Sequence, residues 1–452
     1  MSKQVKIAMV GGGSYGWVPR LIRDIILTPG LENADFRLLD PNLTAARETG
    51  AVGARLAKDW GLGATFLPTS DEAKAFDGAD FVVITISTGG FDAMRHDVHL
   101  PEKYGIYQTV GDTVGPGGWS RGLRNIPVFM HLASQIRRYA PKAAILNYTN
   151  PMTTLTKTLC LCTDQPVVGL CHGLFECYRT LMAIFDLKSE DEIKVNFAGV
   201  NHFFWILDMK IRGRDGYEML RAKMKAEKTN FAGLVKQVHK DEAGFHSSKH
   251  VCSECLDEFG KLPYVGDRHI CEFFSRYLAP NMARLKEYGL VRTMVKDRVT
   301  ARIKGRKIVQ GWAKGKETLK KERSRETAAD IMRAISQGAE FIDVVNVPNR
   351  GQVSNLPMGS VLETLGVVNA LGFTPIAAGP LPRNILNVVR PHVMNQDMIV
   401  EAGMSGDLRL ALEALIADPL CSHLTIPQIK KMGMELMEKN RHLLPQFFGK
   451  KK

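Results

Sequence analysis

A short apolar stretch that runs directly into a glycine-rich turn is the feature that most constrains what this chain can fold into. Residues 5–10 read Val-Lys-Ile-Ala-Met-Val, the pattern of a buried strand, and apolar residues at helical spacing follow the turn. Glycine lets the backbone approach a pyrophosphate there, and the helix N-terminus supplies N–H donors. The G-x-G-x-x-G match therefore predicts a Rossmann-type dinucleotide-binding unit, with cofactor contacts at Gly11, Gly13, Ser14 and Gly16.

A second predicted strand, residues 36–39, ends at Asp40. An acid at this position, roughly 20 residues past the glycines, is typical of ribose binding and favours NAD over NADP. Further strands alternate with helices, which predicts an α/β fold with a doubly wound parallel sheet. The predicted strands are 81–86, 143–146 and 167–170, and the predicted helices are 119–139, 152–163, 326–338 and 406–417.

Polar side chains follow two of these strands. Asn147 and Asn150 come after 143–146, and Cys171 comes after 167–170. Because the carboxyl ends of parallel strands line the ligand crevice, an asparagine there can bind the nicotinamide or a hydroxylated substrate. A thiolate at Cys171 and an imidazole at His202 could together hold a divalent metal, although a buried cysteine and a core histidine remain the alternative.

A C-x-x-C pair, Cys252 and Cys255, has His246 and His250 nearby. No second pair follows at zinc-finger spacing, so we expect the two cysteines to share a helix face instead of binding a structural zinc.

Composition excludes several classes of partner. The net charge is +13, but the basic residues are dispersed, and the densest stretch, 314–323, also carries glutamates and reads as a solvated helix face. No apolar run reaches the ~18 residues of a membrane span, and the N-terminus lacks the features of a signal peptide. Eight cysteines do not form a disulfide framework. We therefore expect a cytoplasmic protein with no nucleic-acid or membrane partner.

The chain resembles glycoside hydrolase family 4, the NAD- and divalent-metal-dependent glycosidases, over nearly its whole length. The motifs that carry the resemblance are Gly11-Gly-Gly-Ser14, Asp97-Val-His-Leu-Pro-Glu-Lys-Tyr-Gly105, Gly111-Asp-Thr-Val-Gly-Pro-Gly-Gly118, Asn147-Tyr-Thr-Asn-Pro151, Cys171-His-Gly173, Asn201-His202, Gly266-Asp-Arg-His269 with Glu272, Val345-Asn-Val-Pro-Asn-Arg-Gly-Gln-Val-Ser-Asn-Leu-Pro357 and Gly379-Pro-Leu-Pro382.

The resemblance implies a chemistry outside the usual two-carboxylate mechanism. NAD takes a hydride from C3 of the sugar, a base removes the C2 proton, the aglycone leaves C1 by elimination, and water and hydride are then returned. A divalent metal, Mn²⁺ or another, acts as Lewis acid. The residues implied are Cys171 and His202 for the metal, Asn150 for the sugar, Asp112 and His172 as candidates for protonating the leaving group, and Asp267 as the C2 base with Tyr264 second.

Three motifs resemble the α-uronide branch of the family, with α-galacturonidase favoured and α-glucuronidase next: Cys171-His-Gly173, Gly111-Asp-Thr-Val-Gly-Pro-Gly-Gly118 and Gly266-Asp-Arg-His269. Arginines suit a C6 carboxylate because a guanidinium binds it in a two-pronged fork. The candidates are Arg95, Arg268 and Arg121. A neutral α-glucosidase or α-galactosidase of the same family, a hydroxy-acid dehydrogenase and a non-catalytic NAD sensor are the alternatives.

The resemblance also implies a lactate/malate dehydrogenase-like architecture. We expect an NAD-binding Rossmann domain over residues 1–195. Residues 196–452 are expected to form a mixed α+β domain for substrate binding, metal binding and oligomerisation. Assembly into a homodimer or homotetramer is implied by the resemblance alone.

Overall fold

The structure of the protein is a computed structural model that describes residues 4–238, 248–278, 280–317 and 319–449. His246 of the C-x-x-C cluster lies outside the described residues. Cys252 and Cys255 are both buried and lie on one helix, as expected.

The N-terminal part contains six parallel strands in the order β3-β2-β1-β4-β5-β6. This is the doubly wound order of a dinucleotide-binding unit, so the predicted fold class is confirmed. The strands are β1 (Lys6–Val10), β2 (Asp35–Leu39), β3 (Thr65–Thr69), β4 (Phe81–Ile84), β5 (Ala144–Asn147) and β6 (Val167–Gly169).

Helices connect these strands and have boundaries that the sequence explains. In the helix after β2, the Asn42 side chain caps the first turn by accepting the Ala45 N–H at 3.1 Å, and Gly61 ends the helix in a left-handed conformation. The helices are α1 (Val18–Ile26), α2 (Leu43–Trp60), α3 (Glu72–Phe76), α4 (Gly90–His99), α5 (Gly115–Tyr139), α6 (Met152–Cys162) and α7 (Gly173–Phe185).

The remaining strands extend the same sheet. Antiparallel pairing of Asn346 with Gly169 joins them to β6, giving one sheet of 13 strands within the described residues. The domain boundary predicted at residues 195 and 196 stays a prediction, and that position lies within β7. The strands are β7 (Ile193–Val200), β8 (Phe203–Ile211), β9 (Arg214–Asp215), β10 (Leu262–Pro263), β11 (Phe341–Pro348), β12 (Val361–Asn369) and β13 (Gly372–Pro375).

The helices of this second part include the two helices that the sequence predicted, at 326–338 and 406–417. They are α8 (Gly216–Ala226), α9 (Phe231–Val238), α10 (His250–Phe259), α11 (Asp267–Ile270), α12 (Ser275–Leu278), α13 (Ala283–Glu287), α14 (Val295–Lys314), α15 (Ala328–Gln337), α16 (Arg383–Ser405), α17 (Leu408–Ile416), α18 (Ile426–Lys439) and α19 (Pro445–Phe448).

The prediction of a helix face over 314–323 is wrong. Helix α14 ends at Lys314, because Gly315 adopts a left-handed conformation with φ of 71°. The described residues after it, up to 323, form turns and irregular chain.

The two faces of the sheet bury separate apolar clusters. Ala8 and Val10 of β1 belong to one cluster, and Ile7 and Met9 belong to the other. This alternation follows from the two-residue period of a strand whose two faces are both covered by helices. Among the described residues, we find no helix that combines the length and the apolar character needed to cross a membrane.

Candidate active site

The first part of the glycine-rich turn between β1 and α1, Gly11 to Gly13, is packed so closely that only glycine fits. Gly11 has φ of 87°, and a Cβ added there would lie 2.1 Å from the Thr85 carbonyl oxygen. A Cβ on Gly13 would lie 2.5 Å from the Cβ of Ala45. The turn thus presents bare backbone at the carboxyl end of the sheet, as nucleotide binding requires.

Asp40 is tied to this turn. Its Oδ2 accepts the Gly13 N–H at 2.9 Å, and its Oδ1 accepts the Asn42 N–H at 2.8 Å. The carboxylate therefore sits beside the phosphate-binding backbone. Its predicted contact with the ribose stays a prediction.

The two asparagines after β5 have different surroundings. Asn147 is fully buried, and its carboxamide bonds with Thr149 and Thr156 inside the turn, so its predicted cofactor contact is untested. Asn150 precedes a cis peptide bond to Pro151. Its Oδ1 is buried and accepts no hydrogen bond from the described residues, which leaves an acceptor for a ligand hydroxyl.

Three side chains from separate segments of the chain form a cluster of potential metal ligands. Asp112, His202 and His269 each offer a ligand atom, and these atoms lie within 4.8 Å of one another. His202 sits in the tight turn between β7 and β8 with φ of 65°, a conformation that a side chain as bulky as histidine adopts at some cost. Two imidazoles and a carboxylate form a common donor set for divalent transition metals.

Thr113 supports two of these ligands. Its hydroxyl lies 2.9 Å from Asp112 Oδ1 and 2.9 Å from His202 Nδ1. The contact with Nδ1 orients the ring and leaves Nε2 of His202 for a metal. His269 Nδ1 is buried and has no hydrogen-bond partner among the described residues. The residues present therefore fit a divalent metal.

The charge states of the cluster suit metal binding. Burial lowers the pKa of His202 well below its usual range and that of His269 to about 4, so both imidazoles are neutral near pH 7. Burial would raise the pKa of Asp112, but the charge that His269 gains below about pH 4 and the positive charges of Arg298 and Arg121 lower it to about 2. Neutral imidazoles and an ionised carboxylate are the forms that bind metal.

Glu272 holds the loop that carries Asp112. This buried carboxylate accepts the backbone N–H groups of Val110 at 2.6 Å and Gly111 at 3.0 Å, and the Thr109 hydroxyl at 3.0 Å. Burial raises its pKa to about 7, against the lowering effect of these hydrogen bonds. Glu272, which is 160 positions further along the chain, therefore holds the loop that places Asp112 in the site.

Cys171, the other metal ligand predicted, lies at the same edge of the sheet. Its thiol is hydrogen-bonded by Asn201, next to His202, and burial followed by the charge of Glu363 raises the pKa of the thiol. Asn201 also donates to Glu363 at 3.1 Å. Cys171 is not in the described cluster with Asp112 and His269, so the structure brings it near His202 without testing its role as ligand.

His172, a candidate proton donor, is more exposed. Its Nδ1 lies 3.6 Å from Glu326 Oε1, and its ring lies 5.5 Å from the ring of Trp17 at the glycine-rich turn. The side chain is 54% exposed, so a leaving group can reach it. Sequence reasoning named neither Glu326 nor Trp17 as part of a site.

The two candidate bases are placed differently. Asp267 is fully buried and accepts the N–H groups of Val251 and Cys252 at the start of α10, which is a helix-capping arrangement. The ring of Tyr264 lies 5.9 Å from that of His202 and is only half-buried. This placement favours Tyr264 over Asp267 as the group that can approach a substrate.

The three arginines predicted to bind the substrate differ in their burial. Arg121 and Arg268 are buried close to Asp112, and Arg121 Nε donates to the Asn150 carbonyl oxygen at 2.9 Å. Arg95 is exposed on α4. A further arginine, Arg298, has its Nη2 3.9 Å from Asp112 Oδ2 and was not predicted from the sequence.

His172 links the nucleotide-binding turn to the metal-competent cluster, because its ring lies 5.5 Å from that of Trp17 and it is close enough to His202 and His269 to add to the effect of burial in lowering the pKa of both. Such a turn and such a cluster in one site define a class of NAD- and metal-using enzyme. The sequence pattern described as "Family 4 glycosyl hydrolase" matches residues 6–187, and that of the "Family 4 glycosyl hydrolase C-terminal domain" matches residues 197–421. The chain belongs to glycoside hydrolase family 4, so the resemblance seen in the sequence is confirmed and the protein is a glycosidase.

Individual relatives span the whole chain. An α-galacturonidase of Thermoanaerobacter italicus is 34% identical over 448 residues, covering 97% of this chain and 97% of its own. The crystal structure of lplD from Bacillus subtilis is 31% identical, with a TM-score of 0.86, covering 96% of this chain and 99% of that one. A 6-phospho-α-glucosidase from gut microorganisms, solved with NAD and Mn²⁺, shares the fold at 21% identity and a TM-score of 0.79 over 98% of this chain and 99% of its own.

Proposed function

We propose that this chain hydrolyses α-uronides, with α-galacturonides favoured over α-glucuronides, and that it uses NAD and a divalent metal such as Mn²⁺. The observation that carries the proposal is the Asp112–His202–His269 cluster with buried Arg121 beside it, in a chain whose glycine-rich turn suits a dinucleotide. The 34% identity to an α-galacturonidase over nearly the full length supports the substrate class.

His202 and Cys171 would hold the metal, and Asp112 and His269, whose ligand atoms lie within 4.8 Å of that of His202, would add to the donor set. When bound, NAD supplies a reversible oxidation at C3 of the sugar, and the metal supplies a Lewis acid for the neighbouring hydroxyl oxygens. The chain provides the geometry: Gly11, Gly13, Ser14, Gly16 and Asp40 orient the dinucleotide.

Side chains around the metal cluster bind the sugar, remove its C2 proton and protonate the leaving group. The unpartnered Asn150 Oδ1 accepts a sugar hydroxyl. Tyr264, beside His202, removes the C2 proton as its phenolate. Burial raises the pKa of Tyr264 well above 10, so the phenolate needs the positive charge of a bound metal nearby. Asp267 supports α10. His172 protonates the departing aglycone, because it is exposed, whereas Asp112 is buried and bonded to Thr113.

Turnover of p-nitrophenyl glycosides tests this function. The α-galacturonide, α-glucuronide, α-galactoside and α-glucoside are compared with catalytic NAD, Mn²⁺ and a thiol reductant, and again with EDTA or without NAD. Uronide turnover that exceeds the NAD supplied and stops on chelation supports the proposal. Turnover of neutral glycosides alone makes the enzyme an α-galactosidase or α-glucosidase, and NADH accumulation with hydroxy acids makes it a dehydrogenase.

A cytoplasmic location and assembly into a homodimer or homotetramer complete the proposal. All eight cysteines are free, which suits a reducing compartment. Light scattering at several protein concentrations tests the assembly, and a single species with the mass of one chain contradicts it.

A further inference from the structure

One of the five tryptophans of this chain packs into none of its apolar clusters. Within the described residues, the other four belong to, or pack against, the two large clusters on the faces of the sheet; they are Trp60, Trp119, Trp205 and Trp312. Trp17 is a member of neither cluster, and its half-buried ring lies beside the rings of Tyr148 and His172. Core packing therefore does not account for this indole.

The helix that follows does not explain Trp17 either. The residue occupies the capping position immediately before the first turn of α1. Serine, threonine, aspartate and asparagine are favoured at such a position, because their side chains accept a backbone N–H of the first turn. An indole has no acceptor for this purpose, and Trp17 makes no side-chain cap. The large aromatic ring at the glycine-rich turn thus gives α1 no cap.

The Trp17 ring lies on the substrate side of the turn. In the sheet, β2 with Asp40 at its end is on one side of β1, and β4, β5 and β6 are on the other side. The Trp17 ring lies 5.5 Å from the ring of Tyr148, which follows β5, and 5.5 Å from the ring of His172, which follows β6. Asn150, the proposed acceptor of a sugar hydroxyl, comes two residues after Tyr148. Trp17 is therefore grouped with side chains proposed to bind the sugar, and not with the carboxylate proposed to bind the ribose.

His172 relates this ring to the leaving group of the reaction. A proton donor must lie within about 3 Å of the oxygen that it protonates. The Nδ1 of His172 lies 3.6 Å from Glu326 Oε1, which leaves Nε2 for that oxygen. Because the indole of Trp17 lies 5.5 Å from the imidazole, a leaving group as large as a sugar ring reaches it, whereas a methyl group is too small to cover it.

The surface that Trp17 offers suits a sugar ring. A pyranose has faces made of C–H groups and a rim of hydroxyl groups, so one face packs on a flat aromatic ring while the rim stays hydrated. Binding pockets are typically lined by such aromatic side chains together with a few polar groups. Packing against the ring of Tyr148 restrains the indole before the ligand arrives, which lowers the entropic cost of binding.

We propose that Trp17 is the platform of a leaving-group subsite, on which the second sugar ring of the substrate stacks beside His172. The chain then selects glycosides whose aglycone is itself a sugar, such as the disaccharide of two galacturonate units. This inference rests on the proposed function, since it takes His172 as the group that protonates the leaving group. It adds a binding site for the aglycone to the residues that bind the sugar being oxidised.

The test compares Trp17→Ala and Trp17→Phe with wild type. Trp60→Ala is the matched control, because Trp60 is a half-buried tryptophan at the end of α2 that is remote from Asp40. The holoenzyme with NAD, Mn²⁺ and a thiol reductant is used throughout. We measure kcat and KM for α-1,4-digalacturonide and for methyl α-galacturonide, which has the same sugar but no ring in its leaving group. NAD affinity and the thermal midpoint are measured for each variant.

The quantity that decides is the ratio of kcat/KM for the digalacturonide to kcat/KM for the methyl galacturonide. Trp17→Ala is expected to lower this ratio by about tenfold, as the loss of one aromatic stacking contact predicts. Trp17→Phe lowers it by a smaller factor, because phenylalanine keeps a smaller ring, and this variant provides a measurement that does not depend on the folding of Trp17→Ala. Trp60→Ala leaves the ratio at the wild-type value.

A wild-type ratio in both Trp17 variants overturns the inference and leaves uronide hydrolysis intact. Equal losses on the two substrates that match a loss of NAD affinity also overturn it, because the ring then serves the cofactor. A wild-type enzyme that cleaves the methyl galacturonide but not the digalacturonide has no subsite for a second sugar. A wild-type enzyme that cleaves neither substrate contradicts the proposed function instead, and the inference fails with it.

Discussion

The imidazole rings of His202 and His269 are stacked, with centroids 3.8 Å apart and an interplanar angle of 26°. One ring comes from the turn between β7 and β8 and the other from the short helix α11, so the fold brings together donors that are 67 positions apart in the chain. Asp112 reaches them from a third segment. These three segments together form a candidate metal site, of which the sequence had indicated only His202 as a ligand.

Replacing His269 by asparagine is expected to weaken Mn²⁺ binding. The variant loses the imidazole donor but keeps a polar side chain, and the dissociation constant should rise by about tenfold or more, as is typical when a group that ligates or orients a metal is removed. Electron paramagnetic resonance of free Mn²⁺ measures this directly. His131→Asn, at an exposed position on α5, should leave the affinity unchanged. Unaltered binding in His269→Asn together with its loss in Cys171→Ser would exclude His269 from the donor set.

Replacing Gly11 by alanine is expected to weaken NAD binding. The new Cβ would lie 2.1 Å from the Thr85 carbonyl oxygen at a φ of 87°, so the turn must move away from the nucleotide. The left-handed conformation alone costs an L-residue about 1–2 kcal/mol, and we expect at least a tenfold rise in the dissociation constant. Fluorescence titration with NADH measures it. Gly311→Ala, whose Cβ meets nothing closer than 3.8 Å, is the control, and equal affinities in all three proteins would contradict the assignment.

Glu48 links α14 to the glycine-rich turn and makes part of the stability pH-dependent. It accepts hydrogen bonds from Arg306, from the Tyr15 hydroxyl at 2.6 Å and from Gln310 at 2.8 Å. The hydrogen bond from Arg306, opposed by burial, lowers the pKa of Glu48 from 4.5 to about 2. Since the folded-state pKa is lowered, this stabilisation is fully present above about pH 4.5 and is lost as the pH falls towards 2.

Glu48→Gln should therefore lower the thermal midpoint near pH 6, and the difference from wild type should shrink as the pH falls from about 4.5 to 2. The variant should also release NAD faster, because α14 is no longer held to the turn. Asp59→Asn, which removes a partly exposed ion pair on the same helix α2, is the control. A difference in midpoint that is independent of pH would show that Glu48 acts through packing alone.

His172→Asn should slow the hydrolysis of glycosides with poor leaving groups more than that of activated ones. Loss of a general acid costs typically about 10²–10⁴-fold, and an activated phenol needs little protonation. The measurement is kcat for a series of aryl and alkyl α-galacturonides. If Asp112→Asn shows the leaving-group dependence and His172→Asn does not, Asp112 is the proton donor.

The parts of the fold that could be read from the sequence are those decided locally. The strand before Gly11, the turn itself and Asp40 lie within 36 positions, and apolar periodicity is sufficient to predict them. The helix expected over 314–323 failed because a single glycine, Gly315, takes the left-handed conformation that ends α14.

The parts of the site that were missed depend on long-range contacts. Glu272 reaches the loop before α5, and Arg298 comes from a helix whose other residues are mostly exposed. Nothing in the neighbouring sequence distinguishes these residues from surface charges. The motif around Asp267 suggested a base, and this stays a prediction. The contacts that its two oxygens accept from the backbone N–H groups of Val251 and Cys252 in the first turn of α10 were not visible in the sequence.

The most direct test of the account is hydrolysis of an α-galacturonide in D₂O with catalytic NAD and Mn²⁺, followed by NMR of the released sugar. The account predicts that galacturonate forms in excess of the NAD supplied and carries deuterium at C2, because that proton is removed during each cleavage, and that EDTA stops the reaction. Cleavage that proceeds without NAD, or that yields galacturonate with only hydrogen at C2, would contradict it.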